Sequence, residues 1–174
     1  HDVDAANRGG SYRPTAVDIE PAGDAGGGYN VGYVAAGEWL GYTVNVGSGA
    51  TYRLEARVAS SGSGGTFHIE IDGVDRTGPL TIPNTGGWQV YQTLSMRGVF
   101  LNAGLRTVHI RMDANGAGNG GWVGNFNWLG IATDSGPGTG GTPFGGVARS
   151  VPGVIQAEDF DDGGEGVNVV VGAP

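Results

Sequence analysis

Short segments of alternating apolar and polar residues recur along most of the chain. A period of two is typical of β-strands with one face buried and the other in solvent. Turn residues, above all glycine and asparagine, separate the segments at intervals of roughly 8 to 15 residues. The segments are 42–46, 52–58, 67–71, 90–94, 99–101, 106–112 and 126–131. The pattern predicts an all-β fold, an antiparallel β-sandwich or jelly roll.

The composition agrees with many short strands and adds a domain division. The chain of 174 residues contains 37 glycines and is 39% hydrophobic, enough for one folded domain with its own core. Residues 133–146, TDSGPGTGGTPFGG, have the composition of a flexible linker. We therefore expect a β-domain over 1–132, a linker over 133–146, a strand segment over 147–167 and a tail of unassigned role over 168–174.

The order of the elements is unusual. Residues 151–167 have the pattern of a strand that opens a β-domain, whereas residues 1–14 are a polar loop with no strand before it. A domain without its first strand has an open edge. The C-terminal segment either folds back to fill that edge in its own chain, or fills it in a neighbouring molecule as a swapped strand, or belongs to a truncated second module.

Charge and residue content exclude several classes of function. The net charge is −8, with nine arginines and no lysine, which disfavours a phosphate-binding surface and hence nucleic acid. No apolar run is long enough for a membrane helix. Cysteine is absent, which excludes disulfides, thiolate metal sites and a cysteine nucleophile.

The sequence does not favour catalysis. A glycosidase needs two carboxyl groups across the scissile bond, one of them in a site that raises its pKa. The carboxylate pairs Asp72 with Asp75 and Glu38 with Glu70 are not set among apolar neighbours, and the three histidines lack metal-ligand spacing. We expect a protein that is not an enzyme.

Several blocks of the sequence, in order, resemble a family 6 carbohydrate-binding module. The blocks are VGYVAAGEWLGYTVNV, FHIEIDG, TGGWQVYQT, AGLRTVHIRM and GNFNWLGI. In that family, a β-sandwich appended to polysaccharide-degrading enzymes, the segment similar to PGVIQAEDFDDGGEGV comes first. Here it comes last, as in a circular permutant or a cut through tandem modules.

Sugar recognition suggests which residues form the site. Sugars present flat C–H faces ringed by hydroxyls. A sugar-binding site therefore needs exposed aromatic rings and a few fixed hydrogen-bonding groups. Tyr33 and Trp88 stand among turn residues, and Asn125 precedes the last strand. The resemblance implies that Tyr33 and Trp88 sandwich one sugar ring and that Asn125 bonds to it. Trp122 lies in an insertion relative to the family pattern and would either extend this cleft or block one end.

Some family members bind sugar at a second surface, on the concave face of the sandwich. The resemblance places Trp39 and Glu70 there. Strand alternation, taken alone, instead predicts structural packing for Trp39 and for several further aromatic residues. The residues with this prediction are Trp39, Tyr42, Phe67, Phe126 and Trp128.

Family members also carry a structural calcium ion. The resemblance assigns Gln156, Glu158 and Asn127 as ligands, with backbone oxygens from residues 8–12. Two of these side chains are amides where charged groups are common, which predicts a lower affinity. A bound ion would clamp the C-terminal segment to the rest of the domain.

These observations together predict a noncatalytic module that binds polysaccharide and targets an attached glycoside hydrolase. The expected glycan is a β-glucan, then xylan, then agar, and the protein is expected to be secreted. The alternative is a structural or adhesive β-domain that assembles by strand exchange. The module would be a monomer or a strand-swapped oligomer.

Overall fold

The computed structural model describes residues 1–3, 7–134 and 149–160, which form two β-sheets packed face to face. A short 3-10 helix, Ala157–Asp159, follows the last strand. The strands are β1 (Ile19–Pro21), β2 (Tyr29–Val31), β3 (Trp39–Val46), β4 (Ala50–Ser60), β5 (Thr66–Ile71), β6 (Val74–Asp75), β7 (Leu80–Thr81), β8 (Gly87–Leu101), β9 (Gly104–Ala114), β10 (Asn125–Thr133), β11 (Arg149–Val151) and β12 (Gly153–Gln156).

The first sheet, here sheet A, has the order β1-β2-β10-β4-β8, with β12 paired to β10. The second, sheet B, has the order β11-β3-β9-β5-β6, with β7 paired to β5. Only β11 and β3 run parallel among the described strand pairs. The predicted β-sandwich is confirmed. No helix in the described part of the chain is long and apolar enough to cross a membrane.

The core lies between the inner faces of the two sheets. Alternate residues of each long strand point inward, as in β4, where Leu54, Ala56 and Val58 are fully buried. The rings of Phe67 in sheet B and Phe126 in sheet A meet edge to face, with centroids 5.1 Å apart. These two residues were correctly predicted to be structural.

A β-bulge in β10 moves Trp128 to the outer face of sheet A. Phe126 pairs with Val58 and Trp128 pairs with Arg57, so Asn127 is an extra residue with no partner on β4. Without the bulge, Trp128 would share the inward face of Phe126. Trp128 is partly exposed, so the expectation that it packs in the core is wrong.

The C-terminal segment adds one strand to each sheet within the same chain. Along β12, Gly153 pairs with Ile131, and the side chain of Ile155 is fully buried. The Tyr42 hydroxyl donates a buried hydrogen bond of 2.8 Å to the carbonyl of Ala157. Arg13 donates to the carbonyl of Phe160 at 2.7 Å and lies 4.3 Å from the centroid of its ring.

The described residues cover the predicted division into domain, linker and tail only in part. Residues 135–146 of the predicted linker, residues 147–148 and 161–167 of the predicted strand segment, and the tail 168–174 lie outside the described residues. Exchange of the closing segment, the predicted strand segment over 147–167, between two chains stays a prediction.

Candidate functional site

The loops at one end of the sandwich bring three of the predicted sugar-binding residues together. Tyr33 follows β2, Trp88 lies at the start of β8 and Asn125 opens β10. Tyr33 is 39% exposed and has a φ of 51°, a left-handed conformation uncommon for an aromatic residue. Such conformations persist where the surrounding structure enforces them, often at binding sites.

Asn125 connects these loops. It is 3% exposed, and its Nδ2 donates to the carbonyl of Trp88 at 2.9 Å and to Glu20 Oε1 at 2.9 Å. Gly32, the residue before Tyr33, lies against the same groups. A Cβ there would be 3.1 Å from Glu20 Oε1 and 3.2 Å from Asn125 Oδ1, so glycine permits the close approach. The positions of Trp88 and of the Tyr33 loop are therefore fixed relative to Asn125.

Glu20, at the middle of β1, is a member of this site that the sequence analysis did not identify. Its Oε1 accepts hydrogen bonds from Asn30 at 3.2 Å, Gln89 at 3.1 Å and Asn125 at 2.9 Å. Within the described residues, its Oε2 accepts none. Because β1 has only three residues, alternation could not detect it.

Trp122 lies beside Tyr33. The two rings meet edge to face with centroids 5.8 Å apart, and the Arg8 guanidinium lies 5.6 Å from the Trp122 ring. Buried Asn119 anchors the Trp122 loop, since its Nδ2 donates to Ser60 Oγ at 3.0 Å and to the carbonyl of Trp122 at 2.8 Å. Trp122 is therefore a fixed part of the wall next to Tyr33.

The second predicted pair, Trp39 and Glu70, shares the outer face of sheet B. Arg111 links them, because its guanidinium lies 5.7 Å from the Trp39 ring and its Nε is 2.7 Å from Glu70 Oε2. Trp39 is only 9% exposed, with the rings of His1 and His109 at 5.9 and 5.0 Å. Burial by itself would raise the pKa of Glu70, but hydrogen bonds from Arg111 and its neighbour His68 outweigh it and lower the pKa.

The three predicted calcium ligands each hold a buried oxygen without a hydrogen-bond partner in the described part of the chain. These atoms are Asn127 Oδ1, Gln156 Oε1 and Glu158 Oε2. Buried polar atoms are normally paired, so a cation that coordinates them is one physical explanation. Amide and carboxylate oxygens are the ligands that Ca²⁺ prefers, and the residues fit such an ion. No group of three His, Asp or Glu side chains suited to a metal occurs within the described ranges.

Glu158 joins the closing segment to the body of the domain. It is 4% exposed, and its Oε1 accepts from the backbone N–H of Tyr29 at 3.3 Å. Burial raises the pKa of Glu158 to about 7. The loop that contains the predicted backbone ligands contacts the segment through a side chain, since the Tyr12 hydroxyl donates to Asp159 at 2.8 Å.

This β-sandwich has the features of a carbohydrate-binding protein, because one end of it brings aromatic rings close to fixed amide and carboxylate groups. The sequence pattern of the carbohydrate binding module (family 6) matches residues 10–133. The chain therefore belongs to family 6 of the carbohydrate-binding modules, as its motifs predicted. Modules of this family are noncatalytic, which confirms that this module is not an enzyme.

Solved structures and a curated relative are similar to this chain. A module of Cellvibrio mixtus lichenase 5A, in complex with cellotriose, has a TM-score of 0.56 and 39% identity, covering 66% of this chain and 85% of that one. A β-1,3-glucan-binding module from Bacillus halodurans has a TM-score of 0.56 and 31% identity, covering 66% and 84%. The clotting factor G alpha subunit of Tachypleus tridentatus is 34% identical over 122 residues, 69% of this chain and 17% of that protein. The matched part of this chain thus spans a small fraction of that relative.

Proposed function

We propose that this module binds a β-glucan in the cleft between Tyr33 and Trp88, with Glu20 and Asn125 at its base. The observation that carries this proposal is the set of hydrogen bonds from Asn125 to Glu20 and to the backbone of Trp88. These bonds hold the backbone of Trp88 and the carboxylate of Glu20 in place, so that less entropy is lost when the sugar binds.

Each group has its own role in this proposal. The rings of Tyr33 and Trp88 stack on the C–H faces of one pyranose. Both amide protons of Asn125 are used inside the protein, so its Oδ1 accepts a sugar hydroxyl. The outward Oε2 of Glu20 accepts another, and such a charge-assisted bond is about twice as strong as a neutral one. Trp122 forms the end wall beside Tyr33.

The choice of glycan follows two of the similar structures. One was solved with cellotriose and the other binds β-1,3-glucan. A β-glucan is therefore the first expectation, xylan the second and agar the third. In the full-length secreted protein, the module holds an attached glycoside hydrolase near its substrate and raises its effective concentration there.

We also propose a structural role for calcium. Asn127, Gln156 and Glu158 would hold the ion, which would supply the missing partner for their three buried oxygens. Two of these residues belong to the closing segment and one to β10. Calcium would therefore fasten the segment to sheet A.

The test is a calorimetric titration with laminari- and cello-oligosaccharides, xylo-oligosaccharides and agaro-oligosaccharides, with calcium present. Trp88→Ala removes the cleft, and Phe100→Ala is a matched control, because Phe100 is a 55% exposed aromatic at the opposite end of the same strand. We expect saturable binding to a β-glucan that is lost in Trp88→Ala and kept in Phe100→Ala. No response to any glycan would refute the proposal and favour a domain that assembles by strand exchange.

A further inference from the structure

The tripeptide Trp-Leu-Gly occurs twice in the chain, at 39–41 on β3 and at 128–130 on β10. In both copies the leucine is buried in the core, and the tryptophan therefore lies on the outer face of its sheet. The two copies belong to opposite sheets. The first is part of the predicted Trp39 and Glu70 surface, whereas the second belongs to no site described above.

The glycine of each copy determines how the indole lies. A Cβ added at Gly41 would be 3.1 Å from Trp39 Cζ3, and one added at Gly130 would be 3.2 Å from Trp128 Cζ3. Each indole therefore extends along its own strand and covers the backbone of the glycine two residues on. A side chain at either glycine would push the ring away from the sheet.

The two indoles differ in what covers them. Trp39 is in contact with His1, His109 and Arg111. Trp128 is partly exposed, and no ring or guanidinium of the described residues stacks on it. The outward side of Trp128 is thus a flat aromatic surface on the face of sheet A.

Fixed polar groups border this surface. Glu55 pairs with Gly130 across the sheet, and Ser95 pairs with Glu55 on β8. The Glu55 carboxylate accepts from Ser95 Oγ at 3.2 Å and forms an ion pair of 2.9 Å with buried Arg53. A carboxylate beside an indole, with a hydroxyl bonded to that carboxylate on the next strand, is a combination suited to stacking and hydrogen bonding with a pyranose ring.

We propose that Trp128, with Glu55 and Ser95, forms an additional sugar-contacting platform on the outer face of sheet A. It contacts a single pyranose of a polysaccharide chain, so its affinity for a short oligosaccharide is low. Its effect appears on a polymer, because a second weak contact on the same chain raises the overall avidity. This inference rests on the proposed function of the cleft.

The indole N–H signals of the four tryptophans provide a direct test by ¹⁵N NMR. The protein is titrated with laminaritriose and with cellotriose, and Trp128→Phe and Trp88→Ala assign the two signals. We expect the Trp88 signal to saturate first and the Trp128 signal to shift with a separate, at least tenfold higher, dissociation constant. The Trp128 shift should persist in Trp88→Ala.

A Trp128 signal that stays unmoved while the Trp88 signal shifts would overturn the platform and leave the cleft standing. A Trp128 shift that disappears in Trp88→Ala would also overturn it, because the change would then originate in the cleft. If no tryptophan signal moves, the proposed function itself fails.

A second experiment measures binding to insoluble β-glucan. Trp128→Phe keeps a ring at this position and should bind like the wild type, whereas Trp128→Ala should weaken binding at least threefold, with an unchanged affinity of the cleft for the trisaccharide. Equal binding of Trp128→Ala and wild type to the polymer would contradict the platform.

Discussion

Replacement of Glu20 by glutamine separates the two functions that the structure gives to this carboxylate. Its Oε1 accepts from Asn30, Gln89 and Asn125, and its Oε2 accepts from no described residue. Glutamine has the same shape. It can keep a carbonyl oxygen toward the three amide groups while it places an NH₂ group where Oε2 was.

Glu20→Gln should change the affinity for glucan and the free energy of unfolding by different amounts. A hydrogen bond from a sugar hydroxyl to a carboxylate contributes about 1.5–3 kcal/mol, so Glu20→Gln should weaken glucan binding roughly 10- to 150-fold. The three internal bonds become neutral, and the free energy of unfolding should fall by only about 1–2 kcal/mol. Glu20→Ala instead leaves the fully buried Asn30 and the 3% exposed Asn125 without this acceptor. At about 1–3 kcal/mol for each buried donor, that variant should lose about 2–6 kcal/mol.

Calorimetry with cellotriose or laminaritriose gives the affinity, and urea unfolding followed by tryptophan fluorescence gives the stability. Asp72→Asn is a matched control, because Asp72 is an exposed carboxylate that bonds Arg106 and Thr107 at the opposite end of the sandwich. If Glu20→Gln binds within twofold of the wild type, Oε2 does not contact the sugar. If Glu20→Ala unfolds at the wild-type urea concentration, the hydrogen-bond network does not support the fold.

Three further outcomes are expected. Chelation of calcium should lower the thermal midpoint in scanning calorimetry, and Glu158→Gln should remove most of this dependence; equal midpoints with and without calcium would exclude the ion. Burial raises the pKa of Glu38 from 4.5 to about 7, so its protonated form stabilises the fold. Glu38 should therefore lower the unfolding free energy by about 3 kcal/mol as the pH rises from 4.5 to 7, and the urea midpoint of Glu38→Gln should be less sensitive to pH than that of the wild type. Tyr42→Phe removes the buried hydrogen bond to Ala157 and should lower the free energy of unfolding in urea by about 1–2 kcal/mol. The loss should exceed that of Tyr52→Phe, whose hydroxyl bonds a less buried carbonyl. An equal loss would contradict the conclusion that this bond holds the closing segment to the domain.

The sequence predicted the parts of the site that local patterns mark. Tyr33, Trp88 and Asn125 stand among turn residues in blocks that resemble the family, and the structure places Tyr33 in a loop and the other two at the starts of β8 and β10, at one end of the sandwich. Glu20 was not predicted, because a three-residue strand is too short to show alternation. Its partner Asn125 lies 105 positions further along the chain, a distance at which no sequence spacing predicts a contact.

Trp128 shows the same limit of prediction from sequence, here for the fold. Strand alternation from Phe126 places Trp128 in the core, and only the bulge at Asn127 turns it outward. A bulge depends on how β10 pairs with β4, which the sequence of β10 alone does not show.

The sequence by itself determined the all-β class, the family and most of the buried aromatic residues, because a period of two is a local property of a strand. The tertiary structure decided which polar groups meet. It joined Glu20 to Asn125, buried oxygens of Asn127, Gln156 and Glu158 without a hydrogen-bond partner among the described residues, and exposed part of Trp128 beside Glu55. Such groups meet only after strands distant in sequence have paired. Hydrogen bonds between distant segments and register shifts between strands are both properties of the assembled sandwich.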